Sequence, residues 1–154
     1  MCLFTYKEMK VKIPITTNAL CVDASCIGNP GVMEYRAVDL KTGKVILHSP
    51  LYPKGTNNIG EFLAIYDALR YIEELEKKKN KEHYECIFTD SETAIAWMKS
   101  KKIKTTLAYT QETKELLSKL QEAIIWIKTH AFTIPIRKRE TKIRGEIPAD
   151  FDRK

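Results

Sequence analysis

The stretch Ala19-Leu20-Cys21-Val22-Asp23-Ala24-Ser25-Cys26-Ile27-Gly28-Asn29-Pro30-Gly31 decides how the rest of the chain is read. A short apolar run leads through an acid into a polar, glycine-containing turn. Such a run bounded by turn residues predicts a buried strand ending at Asp23. Residues 32–40 and 44–48 are two further strand candidates, and Lys41-Thr42-Gly43 between them is a hairpin signal. Three strands on short connections predict an antiparallel meander.

Downstream the pattern changes. Pro50 and Pro53 break the chain, and Thr56-Asn57-Asn58 offers helix-capping residues. Phe62, Ile65, Tyr66, Leu69, Ile72 and Leu75 then step by three and four, one apolar stripe of a helix that runs out in the lysine-rich stretch 77–81. Residues 84–89 read as a strand. Asp90-Ser91 opens a short helix with Ala94, Ile95 and Met98 on one face, and residues 99–106 form a basic loop. Residues 111–128 form a long helix striped by Leu116, Leu117, Leu120, Ile124 and Ile127, and a last strand starts over residues 133–136. Strand–helix–strand connections imply parallel pairing with right-handed crossovers. The expected fold class is therefore α/β, a five-stranded mixed sheet flanked by helices.

Composition bounds the rest. A chain of 154 residues, 44% hydrophobic and 30% charged, suits one globular domain. We divide it into an N-terminal extension, 1–18, and a domain, 19–154. No apolar run approaches the roughly 18 residues of a membrane span, which excludes a membrane-spanning helix. The start of the chain lacks the basic leader and apolar core of a secretory signal. Cys2, Cys21, Cys26 and Cys86 fit no metal or redox spacing and read as reduced thiols, so a cytoplasmic protein is expected. The net charge of +6 suits a polyanionic partner.

The acids carry the chemistry. Asp23 and Asp90 each follow an apolar strand, Glu61 lies in the first turn of the intervening helix, and Asp150 follows the last strand. Ligands bind beyond the carboxyl ends of the strands in such sheets. Clustered carboxylates repel and are tolerated around a divalent cation, and all-oxygen donors favour Mg²⁺ or Mn²⁺. Two such ions about 4 Å apart suit phosphodiester cleavage. Singly, each acid has an ordinary explanation: Asp90 as a helix cap, Asp23 as a turn residue.

The segments around the acids resemble those of type 1 ribonuclease H, in its compact bacterial branch. Asp23-Ala24-Ser25-Cys26-Ile27-Gly28-Asn29-Pro30-Gly31 is similar to the family's D-G-S-C-x-G-N-P-G. Thr56-Asn57-Asn58-Ile59-Gly60-Glu61-Phe62 resembles T-N-N-x-x-E-L/F, Thr89-Asp90-Ser91 its T-D-S, and Gly145-Glu146-Ile147-Pro148-Ala149-Asp150 its closing N-E-x-A-D. The four occur in family order across residues 19–150. The resemblance implies a ribonuclease H-like sheet of order 3-2-1-4-5 with strand 2 antiparallel. It implies an endonuclease that cuts the RNA strand of an RNA–DNA hybrid with two Mg²⁺ ions, leaving 5′-phosphate and 3′-hydroxyl ends. Asp23, Glu61, Asp90 and Asp150 match its metal ligands, Asp23 between the two ions. Ser25, Cys26, Asn29, Asn57, Asn58 and Arg139 are the expected substrate-binding residues. Amides suit the 2′-hydroxyl, the group that tells RNA from DNA. A monomer is expected.

The chain departs from the pattern at Glu92, where the family often has Gln, and in a loop over 137–144 that has no His and offers Glu140 instead. Asp152 competes with Asp150 as the fourth ligand. The basic loop with Lys99, Lys101, Lys102 and Lys104 is a second candidate for phosphate contact, beside 137–144. His48, His83 and His130 share no ligand spacing, and Trp97 and Trp126 read as packing residues. Two alternatives remain: a binding module on the same fold, which has no reason to keep the acids, and a related nuclease acting on DNA, against which Asn29 and Thr56-Asn57-Asn58 argue.

Overall fold

The first strand is longer than the sequence suggests. In the computed structural model, which describes residues 18–78 and 84–139, β1 (Ala19–Gly28) and β2 (Gly31–Asp39) form a hairpin in continuous register from Leu20 opposite Asp39 to Gly28 opposite Gly31. Only Asn29 and Pro30 turn the chain. A Cβ on Gly31 would lie 1.8 Å from the Ile27 carbonyl oxygen, so this hairpin closes only with glycine there. Asp23 therefore sits within the strand rather than at its end.

β3 (Val45–His48) pairs antiparallel with β2. A further strand, β4 (Tyr52–Gly55), pairs with β2 beyond the reach of β3. The sheet thus has six strands, not five. The expected path is kept, β3-β2-β1-β5-β6, with β4 off it. β4 escapes a sequence reading because Pro50 and Pro53 look like breaks, but proline is tolerated on an edge strand, where no N–H is required.

α1 (Asn57–Lys77) crosses from this meander to β5 (Cys86–Thr89), which lies parallel to β1. The Thr56 hydroxyl caps α1 by accepting from the Ile59 N–H at 3.2 Å. From Ile59 to Tyr66 every residue is buried, so the first turns of α1 are enclosed on all sides and the single stripe emerges only afterwards. β1 presents Leu20, Val22 and Ala24 to this helix, where they meet Met33, Tyr35, Phe62 and Leu63. Each large side chain buried there contributes roughly 1.5–3 kcal/mol. On the opposite sheet face Ala19, Cys21, Val38, Cys86 and Phe88 form a smaller apolar cluster.

α2 (Glu92–Ser100) is capped by Ser91, whose Oγ accepts from the Ala94 N–H at 3.0 Å. The cap is thus Ser91, and Asp90 is left for other work. α3 (Lys114–Thr129) begins three residues later than the periodicity suggests. A local turn takes up the difference: the Thr113 hydroxyl donates to the Ala108 carbonyl at 2.6 Å, and the Thr110 N–H donates to Thr113 Oγ1 at 2.8 Å. α3 is tied to α1 through Lys119, which donates to Asp67 at 2.9 Å, and through Tyr66, which donates to Glu122. β6 (Ile136–Lys138) starts after Pro135, whose carbonyl accepts from the Ile87 N–H at 3.0 Å, and runs parallel to β5. Trp97 packs edge-on to Phe62 at 6.0 Å, and Trp126 edge-on to Tyr66 at 5.7 Å, so both tryptophans serve packing. Among the described residues, no helix is long and apolar enough to cross a membrane.

Candidate metal centre

β5 stops at Thr89, while β1 continues to Gly28 with β2 beside it. The parallel register sets Cys21 opposite Phe88. Continued by two residues, it sets Asp23 level with Asp90, at the point where β1 loses its parallel neighbour. Asp23 is 8% exposed and Asp90 is exposed.

Glu61 arrives from α1. A Cβ on Gly60 would lie 2.7 Å from Ala24 Cβ and 2.8 Å from Met33 Sδ, so the absence of a side chain lets the helix close on the hairpin. The next residue then reaches the strand ends. Glu61 Oε2 accepts from the Ala24 N–H at 2.8 Å, and its Oε1 accepts from the Thr89 hydroxyl at 2.9 Å. Thr89 Oγ1 also accepts from the Ser91 N–H at 3.1 Å, which locks the hydroxyl that orients Glu61. One carboxylate oxygen each from Asp23, Glu61 and Asp90 lies within 4.8 Å of the others.

Burial pushes the Glu61 carboxyl up to about 7; the Asp90 charge adds to this, while hydrogen bonds from Asp23, Ala24 and Thr89 pull it down. A cation would relieve that penalty. The donor set is all carboxylate, the hard oxygen chemistry of a divalent cation, so these three residues fit a divalent metal.

The other expected site residues divide. Asn29 Oδ1 accepts from the Asn57 N–H at 3.3 Å, joining the β1–β2 turn to the start of α1. Because Thr56 makes the cap, Asn57 and Asn58 are left exposed on this edge. Ser25 is half-buried, opposite Glu34. The half-buried Cys26 thiol lies within hydrogen-bond reach of the Gly28 carbonyl at 2.7 Å and the Gly55 carbonyl at 3.3 Å, its one S–H serving one of them, and burial pushes its pKa up. Arg139 is only 8% exposed, and its N–H donates to the Thr89 carbonyl at 2.8 Å; the exposed bases beside it are Arg137 and Lys138. Asp150, Asp152, Glu140 and most of the loop over 137–144 lie outside the described residues. Of the histidines, His48 pairs with Glu34 at 2.6 Å and His130 stacks on Trp126 at 4.6 Å.

The sequence reading missed Thr89. Its signal is a hydroxyl closing an otherwise apolar strand directly before an acid. It is fully buried, and so must spend its hydroxyl on a partner.

A mixed sheet with a carboxylate cluster where a parallel strand ends, closed by the N-terminal turn of a helix, defines an α/β domain with a candidate divalent-metal site. The description "RNase H" matches residues 16–138, and the chain belongs to that family; its enzyme class is ribonuclease H. It is similar to RNase H1 from the halophilic archaeon Halobacterium salinarum NRC-1, at 15% identity and a TM-score of 0.49, over 85% of this chain and 91% of that one. It is also similar to LC11-RNase H1, obtained from compost by a metagenomic approach and solved in complex with an RNA/DNA hybrid, at 18% identity and a TM-score of 0.44, over 81% and 86%. The N-terminal RNase H domain of a Mycobacterium tuberculosis protein matches at 18% identity and a TM-score of 0.42, over 78% and 84%.

Proposed function

We propose that this ribonuclease H cuts the RNA strand of RNA–DNA hybrids endonucleolytically, using two Mg²⁺ ions for which Mn²⁺ can substitute. The observation that carries the reading is the convergence of Asp23, Glu61 and Asp90 within 4.8 Å. Asp150 completes the ligand set in this reading, within a catalytic unit spanning 19–154. Bound there, divalent ions supply an activated water and charge neutralisation at the departing oxygen.

The chain's own residues do the rest. Thr89 and the Ala24 N–H hold Glu61 in one orientation. The Asn29–Asn57 contact fixes the turn and the helix start as one surface, from which exposed Asn57 and Asn58 can meet the minor-groove edge and its 2′-hydroxyls. Asn29, Ser25 and Cys26 shape that surface, Cys26 from within. The exposed bases Arg137 and Lys138 suit phosphates beside the acids. The enzyme acts as a monomer in the cytoplasm in this reading, in keeping with a thiol rather than a disulfide at Cys26.

The test is cleavage of a labelled hybrid in Mg²⁺, with duplex RNA and duplex DNA as controls. Cleavage of the hybrid's RNA strand alone, abolished by EDTA and by Asp23→Asn or Asp90→Asn in folded protein, is expected. Near-normal turnover by either folded variant, or equal cutting of duplex DNA, would overturn the reading.

A further inference from the structure

Arg36 stands directly opposite Asp23 in the β1–β2 hairpin. Cys21 and Val38, themselves register partners, belong to the apolar cluster on the sheet face away from α1. Side chains alternate along a strand, so Asp23 and Arg36, two residues from Cys21 and Val38, leave that same face. Directly opposed residues have Cβ atoms about 4.5–5.5 Å apart. The row continues across the sheet: Arg36 stands opposite His48 of β3, and His48 Nε2 lies 2.6 Å from Glu34 Oε1. Asp23 and Glu34 are each 8% exposed, and Arg36 is half-buried. A guanidinium keeps its charge at every working pH. The hairpin thus sets a permanent positive charge, partly shielded from water, beside one of the three metal-binding acids. The oxygens of Asp23, Glu61 and Asp90 that lie within 4.8 Å of one another repel before a cation arrives. Arg36 relieves that repulsion in the metal-free protein, and the same charge opposes an incoming cation.

We propose that Arg36 is an internal counter-cation of the metal centre: it compensates Asp23 when the site is empty and lowers the affinity of the site for divalent ions, so that bound ions exchange readily. The inference rests on the metal-centre reading above and concerns the affinity of that site. It needs only a positive charge at that distance. Arg36 acts on the site through space, whether its guanidinium hydrogen-bonds to Asp23 or to the neighbouring Glu34. A unit charge about 7 Å from a divalent ion opposes its binding several-fold even at the dielectric of water, and more strongly at a partly desolvated strand surface.

Free Mn²⁺ is counted by its EPR signal in titrations of the full chain without nucleic acid, near neutral pH and at low salt. The proteins are wild type, Arg36→Gln, Arg36→Lys, Asp23→Asn and Lys128→Gln, which removes the same charge from the last turn of α3. Arg36→Met, which keeps the aliphatic stem, makes the same comparison should glutamine prevent folding. Arg36→Gln is expected to bind Mn²⁺ at least about threefold more tightly than wild type. Arg36→Lys keeps the charge and should stay close to wild type, as should Lys128→Gln; Asp23→Asn should lose most of the binding. The Tm of Arg36→Gln should lie below that of wild type in EDTA and rise further at the same Mn²⁺ concentration. Unchanged or weaker Mn²⁺ binding by the folded uncharged variant overturns the proposal. Equal tightening in Arg36→Lys or in Lys128→Gln, or a Tm of Arg36→Gln in EDTA at or above that of wild type, does the same. Should wild type bind no Mn²⁺, or Asp23→Asn bind it as well as wild type does, the metal-centre reading falls and this proposal with it. Normal Asp23-dependent binding with a silent Arg36→Gln sinks only the counter-cation.

Discussion

Glu61→Gln isolates the electrostatic strain that the acid cluster stores without metal. Glu61 is fully buried, and its carboxyl is raised from an ordinary 4.5 to about 7, chiefly by burial. The raised group binds its proton more tightly in the folded state than in the unfolded chain. Its favourable contribution is therefore complete below pH 4.5 and lost as pH rises through 7. At 1.36 kcal/mol per unit, the difference between pH 5 and pH 8.5 amounts to at most about 3 kcal/mol. Glutamine carries no charge, so its stability lacks this component. Its carbonyl can still accept from the Ala24 N–H, but its amide must take the place of the acceptor that now serves the Thr89 hydroxyl, a loss of about 1 kcal/mol. The net expectation in EDTA at pH 8.5 is a gain of about 1–2 kcal/mol, or roughly 2–8 °C in Tm for a domain of this size. At pH 5 the variant should be no more stable than wild type. Denaturant and thermal unfolding at the two pH values measure this, and comparing the variants cancels titrations elsewhere in the chain. Millimolar Mg²⁺ should raise the Tm of wild type at pH 8.5 and that of Glu61→Gln much less. A variant less stable than wild type at both pH values, by the same margin, would refute the argument that burial and like charge lift Glu61.

Gly60→Ala forces a methyl to 2.7 Å from Ala24 Cβ, and overpacking of this kind costs about 1–3 kcal/mol; unfolding should show that loss, and activity should fall in protein that still folds, because the helix carrying Glu61 is pushed outward. Thr89→Val removes the hydroxyl on Glu61 Oε1 while keeping the side-chain volume; kcat should fall at least several-fold with hybrid affinity little changed, and wild-type kcat would remove Thr89 from the site. Arg137→Ala should make the salt slope of hybrid binding shallower by about one unit; an unchanged slope would move the contact surface to the exposed lysines at 99–104.

The sequence by itself determined the kinds of element and the identity of the acids. Period-two and period-three-to-four patterns depend on neighbours a few residues apart, so the strand around Asp23, the helix stripe from Phe62 and the strand before Asp90 could be read locally, and the motifs tied four acids to one chemistry, three of them among the described residues. Where those elements begin and end was decided by contacts made elsewhere. Asp23 proved to lie mid-strand because β1 keeps β2 as a partner after β5 has stopped. β4 exists because the far end of β2 offered it an edge, despite Pro53. α3 starts late because Thr113 spends its hydroxyl on a turn. The close approach of Gly60 to Ala24, the grip of Thr89 on Glu61, the docking of buried Arg139 on Thr89 and the Lys138–Glu92 pair join residues from 28 to 50 positions apart. No local pattern encodes these. Each is fixed only when the helix packs on the sheet and the chain's summed burial chooses which polar groups must find one another.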